Sequence, residues 1–388
     1  VTYNSENSFG EMADAAGAKA FRPNSGQLTL AKEPIRSNEV RRDGLQSRGR
    51  HGSRSVSGQY AGDLSVGTFD DLIEAAFRGT FAPALAVTEA TAGLTSITTT
   101  ANSIVASAGS WITAGLRVGD VIRLTGHSAA GNNDRNLRIT GLTASTITVA
   151  DLLTVSAVAD TAFSIDRPKK LLQGLVARSF TFEEHEADID GSEIFTGVRV
   201  GSLQLQMQPN GMCILTFGLV GRDMEVMTGV ASPYFTDPST EFVSIAMTAV
   251  EAKIRVGSGD VLDVTSLELN LNLNASGVPV VGSTVTPEVF TNTGVVEGSI
   301  TALKQDVTRS QQYLNETELS LHLLFEELES GAADFCSFFL GNLTLASATK
   351  GEIGADNGRT QTFSLLTGAD ERGGAFDRTT IKYQTSAV

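Results

Sequence analysis

Four histidines are the side chains best suited to hold a metal ion, because a neutral imidazole is a common zinc ligand. They are His51, His127, His185 and His322. They fall in unrelated segments, and no two of them have the HExxH or HxH spacing that brings two rings onto one metal. The sequence therefore predicts no metal site built on histidine.

The most acidic stretch is "EEHEADIDGSE" at residues 183–193, and its "DIDG" is similar to the start of a calcium-binding loop. Counting twelve positions from Asp188 ends at Arg199, where such a loop has its bidentate glutamate. A guanidinium cannot bind a cation, so we expect a solvated acidic strand edge here instead of a calcium site.

Motifs for nucleophilic catalysis and phosphate binding are missing from the sequence. Cys213 and Cys336 lie far apart in apolar runs without CxxC spacing, and we expect reduced, buried thiols that act as small hydrophobes. There is no P-loop, no GxGxxG between a strand and a helix, and no GxSxG elbow. The sequence predicts no catalytic residue, no cofactor and no enzyme.

Composition favours an acidic, β-rich protein. The 388 residues carry a formal net charge of −15, which argues against tight nucleic-acid binding without excluding DNA that passes nearby. The 39 glycines, only 9 prolines and abundant Thr, Ser and Val favour β-structure with many tight turns. The apolar runs are too short to span a membrane, and we expect no membrane partner.

Residues 55–81, "SVSGQYAGDLSVGTFDDLIEAAFRGTF", predict one strand that leads directly into one short helix. Apolar residues alternate along the strand and then recur with helical spacing over Phe69–Phe77. Thr68 is the predicted N-cap, with Asp71 completing a capping box, and Gly79 is the predicted stop. A helix with one apolar face must bury it, so we expect a β-sheet with this helix against it.

Changes in composition divide the chain into segments. Residues 1–27 are small, polar and aperiodic, and predict an N-terminal arm that orders late or through a partner. Residues 82–167 alternate short β runs with Gly and Asn turns, which predicts a small inserted all-β domain. We expect residues 28–81 and 168–230 to form a first, discontinuous β module, and residues 231–388 a second one.

The segment from Leu28 to Arg54 is basic, in contrast to the rest of the chain. It has seven Lys or Arg residues against three acidic ones. Two interpretations stay open: a solvated, extended arm, and an arm that docks on an acidic neighbouring copy.

Similar strings in the two modules predict an internal duplication. "GVVEGSITALKQDVTRSQQYL" at 294–314 repeats the strand-then-helix order of residues 55–81, and "LGNLTL" and "TFSLLTG" echo "VGSLQL" and "TFGLVGR". Residues 203–208 alternate Leu or Met with Gln, so this hairpin has one apolar face and one polar, uncharged face. The polar face is suited to solvent or to a water-filled channel.

Three segments in combination resemble the tail tube proteins (major tail proteins) of long-tailed, siphovirus-type bacteriophages. They are "GQLTLAKEPIRSNEVRRDGLQSRGRHGSRSVSGQYAGDLSVGTFDDLIEAAFRGTF", "AGSWITAGLRVGDVIRLTGHSAAGNNDRNLRITGLTASTITV" and "RSFTFEEHEADIDGSEIFTGVRVGSLQLQMQPNGMCILTFGLVGRD", which together cover roughly residues 26–225. The resemblance implies a mainly β fold: a tail-tube β-sandwich or half-barrel with a flanking short helix, duplicated in the chain, plus the small inserted all-β domain.

The same resemblance implies a structural virion protein that assembles into rings, with sheets of neighbouring subunits paired edge to edge. The rings would stack into a tail tube through which the genome passes, and the helix from Phe69 to Arg78 would cover the outer face of the sheet. The implied partners are other copies of the chain, the tape measure protein, other tail proteins and, transiently, viral DNA. The implied location is the phage tail, assembled in the host bacterial cytoplasm.

Two alternatives stay open at this point. The first is another tail component with the tube fold, such as a terminator, baseplate or host-adhesion protein. The second concerns symmetry, because two modules in one chain predict trimeric rings with pseudo-six-fold symmetry, whereas a single module with a decorated C-terminal half predicts hexameric rings.

Overall fold

A computed structural model describes residues 1–240, 244–327, 332–352 and 358–387. In chain order the first elements are β1 (Thr2–Ser5), β2 (Ala16–Ala20), β3 (Ser25–Ile35), β4 (Arg50–Asp63) and α1 (Asp70–Phe77). They are followed by β5 (Leu85–Thr88), β6 (Ile97–Thr99), β7 (Ser103–Ala106), α2 (Trp111–Ala114), β8 (Val121–Thr125), β9 (Leu137–Leu142), β10 (Thr146–Val149), β11 (Ser156–Asp160) and β12 (Ser164–Arg167).

The remaining elements run from residue 170 to residue 385. They are β13 (Lys170–Leu172), β14 (Phe180–Glu186), β15 (Gly191–Met207), β16 (Ile214–Gly221), β17 (Asp223–Thr228), β18 (Asp237–Ser239), β19 (Ala252–Val256), β20 (Gly259–Asp260), β21 (Val264–Asn272), β22 (Ser276–Gly277), β23 (Val289–Phe290), β24 (Val295–Leu303), α3 (Thr308–Leu314), β25 (Leu319–Glu326), β26 (Phe335–Lys350), β27 (Thr360–Thr367) and β28 (Lys382–Thr385). The chain is thus mainly β, as predicted.

Two runs of strands in the large sheet have the same order. The first is β3-β4-β16-β15-β14, and the second is β21-β24-β27-β26-β25. Helix α1 follows the second strand of the first run, and α3 follows the second strand of the second run. β15 joins the runs, because its C-terminal half also pairs with β21.

The irregularities of the two runs also correspond. A register shift separates Val200 from Ser202 in β15, and another separates Leu345 from Ser347 in β26. The shifts align Val200 with Leu345, so "LGNLTL" corresponds to residues 195–200 and not to "VGSLQL" as predicted from sequence. "TFSLLTG" does stay in register with "TFGLVGR". The bulges lie at equivalent places in both strands and do not change this alignment. The strings misled because a similarity over six residues does not fix a strand register, and this one is displaced by five residues from the structural alignment.

Helix α1 has the predicted apolar face but not the predicted ends. Its side chains Leu72, Ile73 and Phe77 are buried in the main core. The helix begins after Phe69 without a side-chain cap, because the Thr68 hydroxyl instead accepts a 2.6 Å hydrogen bond from Ser65. It ends at a left-handed Arg78 (φ 51°) rather than at Gly79. The predicted cap and stop are therefore wrong.

Residues 1–27, predicted as an arm that orders late or through a partner, contribute β1 and β2 to the folded sheet. β1 pairs antiparallel with β14, which buries Tyr3 in a stack on Phe182 with ring centroids 5.4 Å apart. Phe21 packs edge-on against Tyr60 and Phe69. Aromatic pairs of this kind outweigh the polar composition of the segment and hold it on the core.

Strands β5–β12 form a separate eight-stranded sheet. It has its own apolar core around Trp111, Phe163 and Ile122. Polar contacts attach it to the C-terminal half: Lys382 Nζ lies 2.8 Å from Asp120 Oδ1, and the Gln384 amide donates to the Val121 carbonyl at 2.6 Å.

Candidate assembly edges

The four histidines lie on different elements and have different neighbours. His51 is exposed, His127 Nε2 lies 3.2 Å from Asp160, His185 Nδ1 lies 3.1 Å from the Ser192 hydroxyl, and His322 Nε2 lies 2.9 Å from the Ser337 hydroxyl. Burial holds the pKa of His322 well below its ordinary value, so this ring is neutral. Within the described ranges, no group of three His, Cys, Asp or Glu is placed to hold a metal ion.

Both cysteines are free and buried, as predicted. Burial raises the pKa of each thiol, Cys213 and Cys336, to about 12. Each therefore stays protonated at neutral pH and lacks the thiolate needed for nucleophilic chemistry.

The acidic segment forms the end of the β14–β15 hairpin, and its residues from Glu186 to Asp190 are exposed as predicted. Glu183 departs from the prediction because it is buried and accepts hydrogen bonds from the backbone amides of Tyr234 (2.6 Å) and Phe235 (3.1 Å). Glu184 accepts one from the Leu28 amide at 2.9 Å. These carboxylates bind the protein's own backbone rather than a cation.

The junction between β15 and β21 shows how the two strand runs pair through their edges. Ser202 lies opposite Asn272, Gln204 opposite Asn270 and Gln206 opposite Glu268. The Leu273 amide donates to the Gly201 carbonyl at 2.8 Å, which makes Ser202–Asn272 a non-hydrogen-bonded pair of the antiparallel ladder. The junction therefore has a defined register on both strands.

The corresponding edge of the second strand run is open. β26 pairs with β27 along residues 343–350, but on its other side the pairing with β25 ends at Leu343. Beyond that point, no strand of the described chain pairs with this side of β26. Residues 347–350 are thus the counterpart of residues 202–205, without a partner like β21.

The second open edge belongs to β3, the counterpart of β21. Among the described residues, β3 pairs only with β4. Its Leu28 amide is satisfied by the Glu184 carboxylate, which also accepts a hydrogen bond from the Tyr60 hydroxyl. A side chain thus occupies a backbone donor that a neighbouring strand could use, which is one way that proteins protect an edge.

One face of the sheet is mostly polar across both strand runs. A continuous register row crosses seven strands from β4 to β26, and six of its seven residues are polar; in order it contains Asp63, Ile214, Gln206, Glu268, Ser299, Ser364 and Ser347. The opposite face carries core side chains such as Phe217, Leu203 and Leu271. The sheet can therefore present a hydrated, weakly acidic wall on the side away from the core.

A β-sheet with open strand edges and one mostly polar face has the features needed to pair with further strands through its edges. Residues 2–374 match the family model described as phage tail tube protein. The chain belongs to the phage tail tube protein family, which is a family of structural virion proteins and not of enzymes. No curated protein matches the chain. Among the described residues, none of the helices has the length and apolar character needed to cross a membrane.

Proposed function

We propose that this chain is the repeating subunit of a siphovirus-type tail tube, and that it closes into rings which stack into a channel for the viral genome. We further propose that it arose by duplication, with tube modules at 28–81 plus 168–230 and at 231–388, and an inserted domain at 82–167. The observation that carries the proposal is the β15–β21 junction, in which one module already pairs with the next.

The junction predicts the contact between copies. Gly58 on β4 and Gly298 on β24 face Leu28 and Leu269 respectively, which aligns β3 with β21. Transferring the junction register to the open edges puts Ser347 of one copy opposite Ala31 of the next, and Thr349 opposite Thr29. We call this predicted contact the seam.

Each copy then contributes two modules, one internal junction and one seam. Three copies supply six modules, so the ring is trimeric with pseudo-six-fold symmetry, and heterologous contacts of this kind close a ring when the rotation fits. A hexamer of complete chains would instead have twelve modules around the bore. Closure removes every edge of the inner sheet.

The polar face is the proposed wall of the bore. Its Gln, Ser, Thr and Asn side chains offer hydrogen bonds to water, and its carboxylates, with a net charge of −15 on the chain, repel phosphate. DNA would therefore pass without being retained. We propose that the tape measure protein occupies the same bore during assembly in the host cytoplasm, and that the inserted domain lies on the outside of the tube.

A disulfide across the seam tests the proposal. Ala31→Cys with Ser347→Cys corresponds to the non-hydrogen-bonded pair Ser202–Asn272, where side chains approach closely enough for a disulfide. Thr29→Cys with Ser347→Cys is the matched control, because it displaces the pair by two residues. The native cysteines are buried and should not interfere.

Assembled tubes of the Ala31→Cys/Ser347→Cys variant should give disulfide-linked chains in a non-reducing gel, with a ladder that stops at three. The control should give little cross-linking. A ladder that reaches six would replace the trimer by a hexamer. Assembled tubes without any cross-link, or with equal cross-linking in the control, would contradict the seam.

A further inference from the structure

We infer that Lys382 and Asp120 become joined by an isopeptide bond, in which the Lys382 side-chain amine and the Asp120 side-chain carboxyl form an amide and release one water molecule. The bond attaches the eight-stranded sheet β5–β12 covalently to the C-terminal strand β28. It forms within a single chain and does not depend on the proposed tube.

Lys382 and Asp120 form an ion pair that is shielded from water. Asp120 is fully buried, Lys382 is 2% exposed, and Lys382 Nζ lies 2.8 Å from Asp120 Oδ1. The amine also lies 5.5 Å from the centroid of the Phe339 ring. Charges buried this deeply lose most of their hydration, which favours transfer of a proton from the amine to the carboxylate. The resulting neutral amine and neutral acid are the forms that react to give an amide, and their contact removes the entropic cost of bringing them together.

Backbone groups hold both partners in position for this reaction. The Arg117 amide donates a 2.9 Å hydrogen bond to Asp120 Oδ2, and the Val118 carbonyl accepts one of 2.9 Å from Lys382 Nζ. When Nζ attacks the carboxyl carbon of Asp120, negative charge develops on Oδ2, where the Arg117 amide stabilises it. The Val118 carbonyl can accept the single N–H of the amide product. The same contacts therefore suit the ion pair, the tetrahedral intermediate and the amide.

A second ion pair provides the route for the protons. Asp377 Oδ2 lies 2.6 Å from Lys382 Nζ and 2.7 Å from Lys170 Nζ, and Lys170 Nζ lies 3.4 Å from Asp120 Oδ1. As the N–C bond forms, Asp377 accepts a proton from Lys382 Nζ. Lys170 gives a proton to the Oδ1 hydroxyl, the bond between this oxygen and the carboxyl carbon breaks, and water leaves. Asp377 then passes its proton to Lys170, so this pair ends charged, as it began.

Burial makes Lys170 a better proton donor than an exposed lysine. It lowers the pKa of Lys170, although Asp120 and Asp377 act in the opposite direction. An ammonium with a lowered pKa gives up its proton more readily to the departing oxygen. Lys170 lies on β13, which pairs with β28, and this pairing keeps its amine beside that of Lys382.

The ion pair between Lys169 and Asp70 is an internal control for this reasoning. Lys169 Nζ lies 3.0 Å from Asp70 Oδ2, so the two groups are about as close as Lys382 and Asp120. Their side chains are 22% and 12% exposed, so water still hydrates the charges. We expect this pair to remain an ion pair.

Mass spectrometry of the folded wild-type chain tests the inference. After incubation until the mass is constant, the denatured chain should be lighter than its sequence mass by one water molecule. A tryptic digest should contain residues 118–123, "VGDVIR", and residues 379–388, "TTIKYQTSAV", as one branched peptide, because trypsin does not cleave after an acylated lysine. A wild-type chain with its full sequence mass would overturn the inference.

Two lysine variants locate the lost water. Lys382→Arg keeps the positive charge but lacks the amine, so it should have its full sequence mass and give no branched peptide. The matched control Lys169→Arg should lose one water molecule, as the wild type does. A loss of water that persists in Lys382→Arg would come from another site, such as a succinimide at Asp190–Gly191, and would overturn the assignment to Lys382.

Discussion

Proline at Lys350 should weaken the seam while leaving the free chain folded. Lys350 is the counterpart of Leu205, which faces Leu269 across the internal junction. Because Ser202–Asn272 is a non-hydrogen-bonded pair, the alternate pair Leu205–Leu269 is a hydrogen-bonded one. The Lys350 amide therefore points towards the seam, where it would donate to the Leu28 carbonyl of the next copy.

The magnitude follows from one lost hydrogen bond at each seam. A backbone hydrogen bond contributes about 0.5–1.5 kcal/mol net, so three seams lose about 1.5–4.5 kcal/mol per ring. That corresponds to a factor of roughly ten to two thousand in the association constant of the ring. The free chain loses no ladder bond, and proline is tolerated on an edge strand.

Analytical ultracentrifugation over a concentration series would measure the assembly threshold. Lys350→Ala is the matched control, because it removes the same side chain but keeps the amide. Urea unfolding should give the same stability for both variants as free chains. Equal assembly thresholds for Lys350→Pro and Lys350→Ala would refute the placement of this amide in the seam.

Two further predictions concern the free chain. Phe77→Ala should lower the free energy of unfolding, measured by urea titration, by about 3–5 kcal/mol, because Phe77 is buried beside Tyr383 with ring centroids 6.4 Å apart. The control Leu314→Ala, at the exposed end of α3, should change this free energy by no more than about 0.5 kcal/mol. Burial alone would raise the pKa of Asp377, but Lys382 and Lys170 outweigh it and hold the pKa below its ordinary value. The stability from this carboxylate is therefore present above the ordinary pKa and is lost as the pH falls through the lowered one. The stability difference between wild type and Asp377→Asn should shrink below about pH 4; a difference that stays constant down to pH 2 would contradict this.

The sequence predicts what depends on regular periodicity. The apolar stripe of α1 and the alternation in residues 203–208 both identify the faces that are buried. An element that buries one face needs apolar residues at the helical or strand period, so this signal is visible in the sequence. The ends of α1 could not be predicted in the same way. The Thr68 hydroxyl has several possible partners, and it pairs with Ser65, three residues earlier, rather than with the helix amides.

The open edges could not be found from sequence. An edge can be recognised as open only when the partner of β15 is known, and that partner, β21, begins 57 residues after β15 ends. The alignment of the two strand runs likewise requires the strand pairings, because short similar strings do not fix a register. The N-terminal strands were missed because single aromatic residues, Tyr3 and Phe21, anchor an otherwise polar segment.

Cryo-electron microscopy of assembled tubes, at a resolution that separates the strands, tests the central claim most directly. The account predicts rings of three copies, a continuous inner sheet in which β26 of each copy pairs with β3 of the next, and three inserted domains per ring on the outside. A ring with six identical positions, or an inner sheet interrupted between β26 and β3, would contradict it.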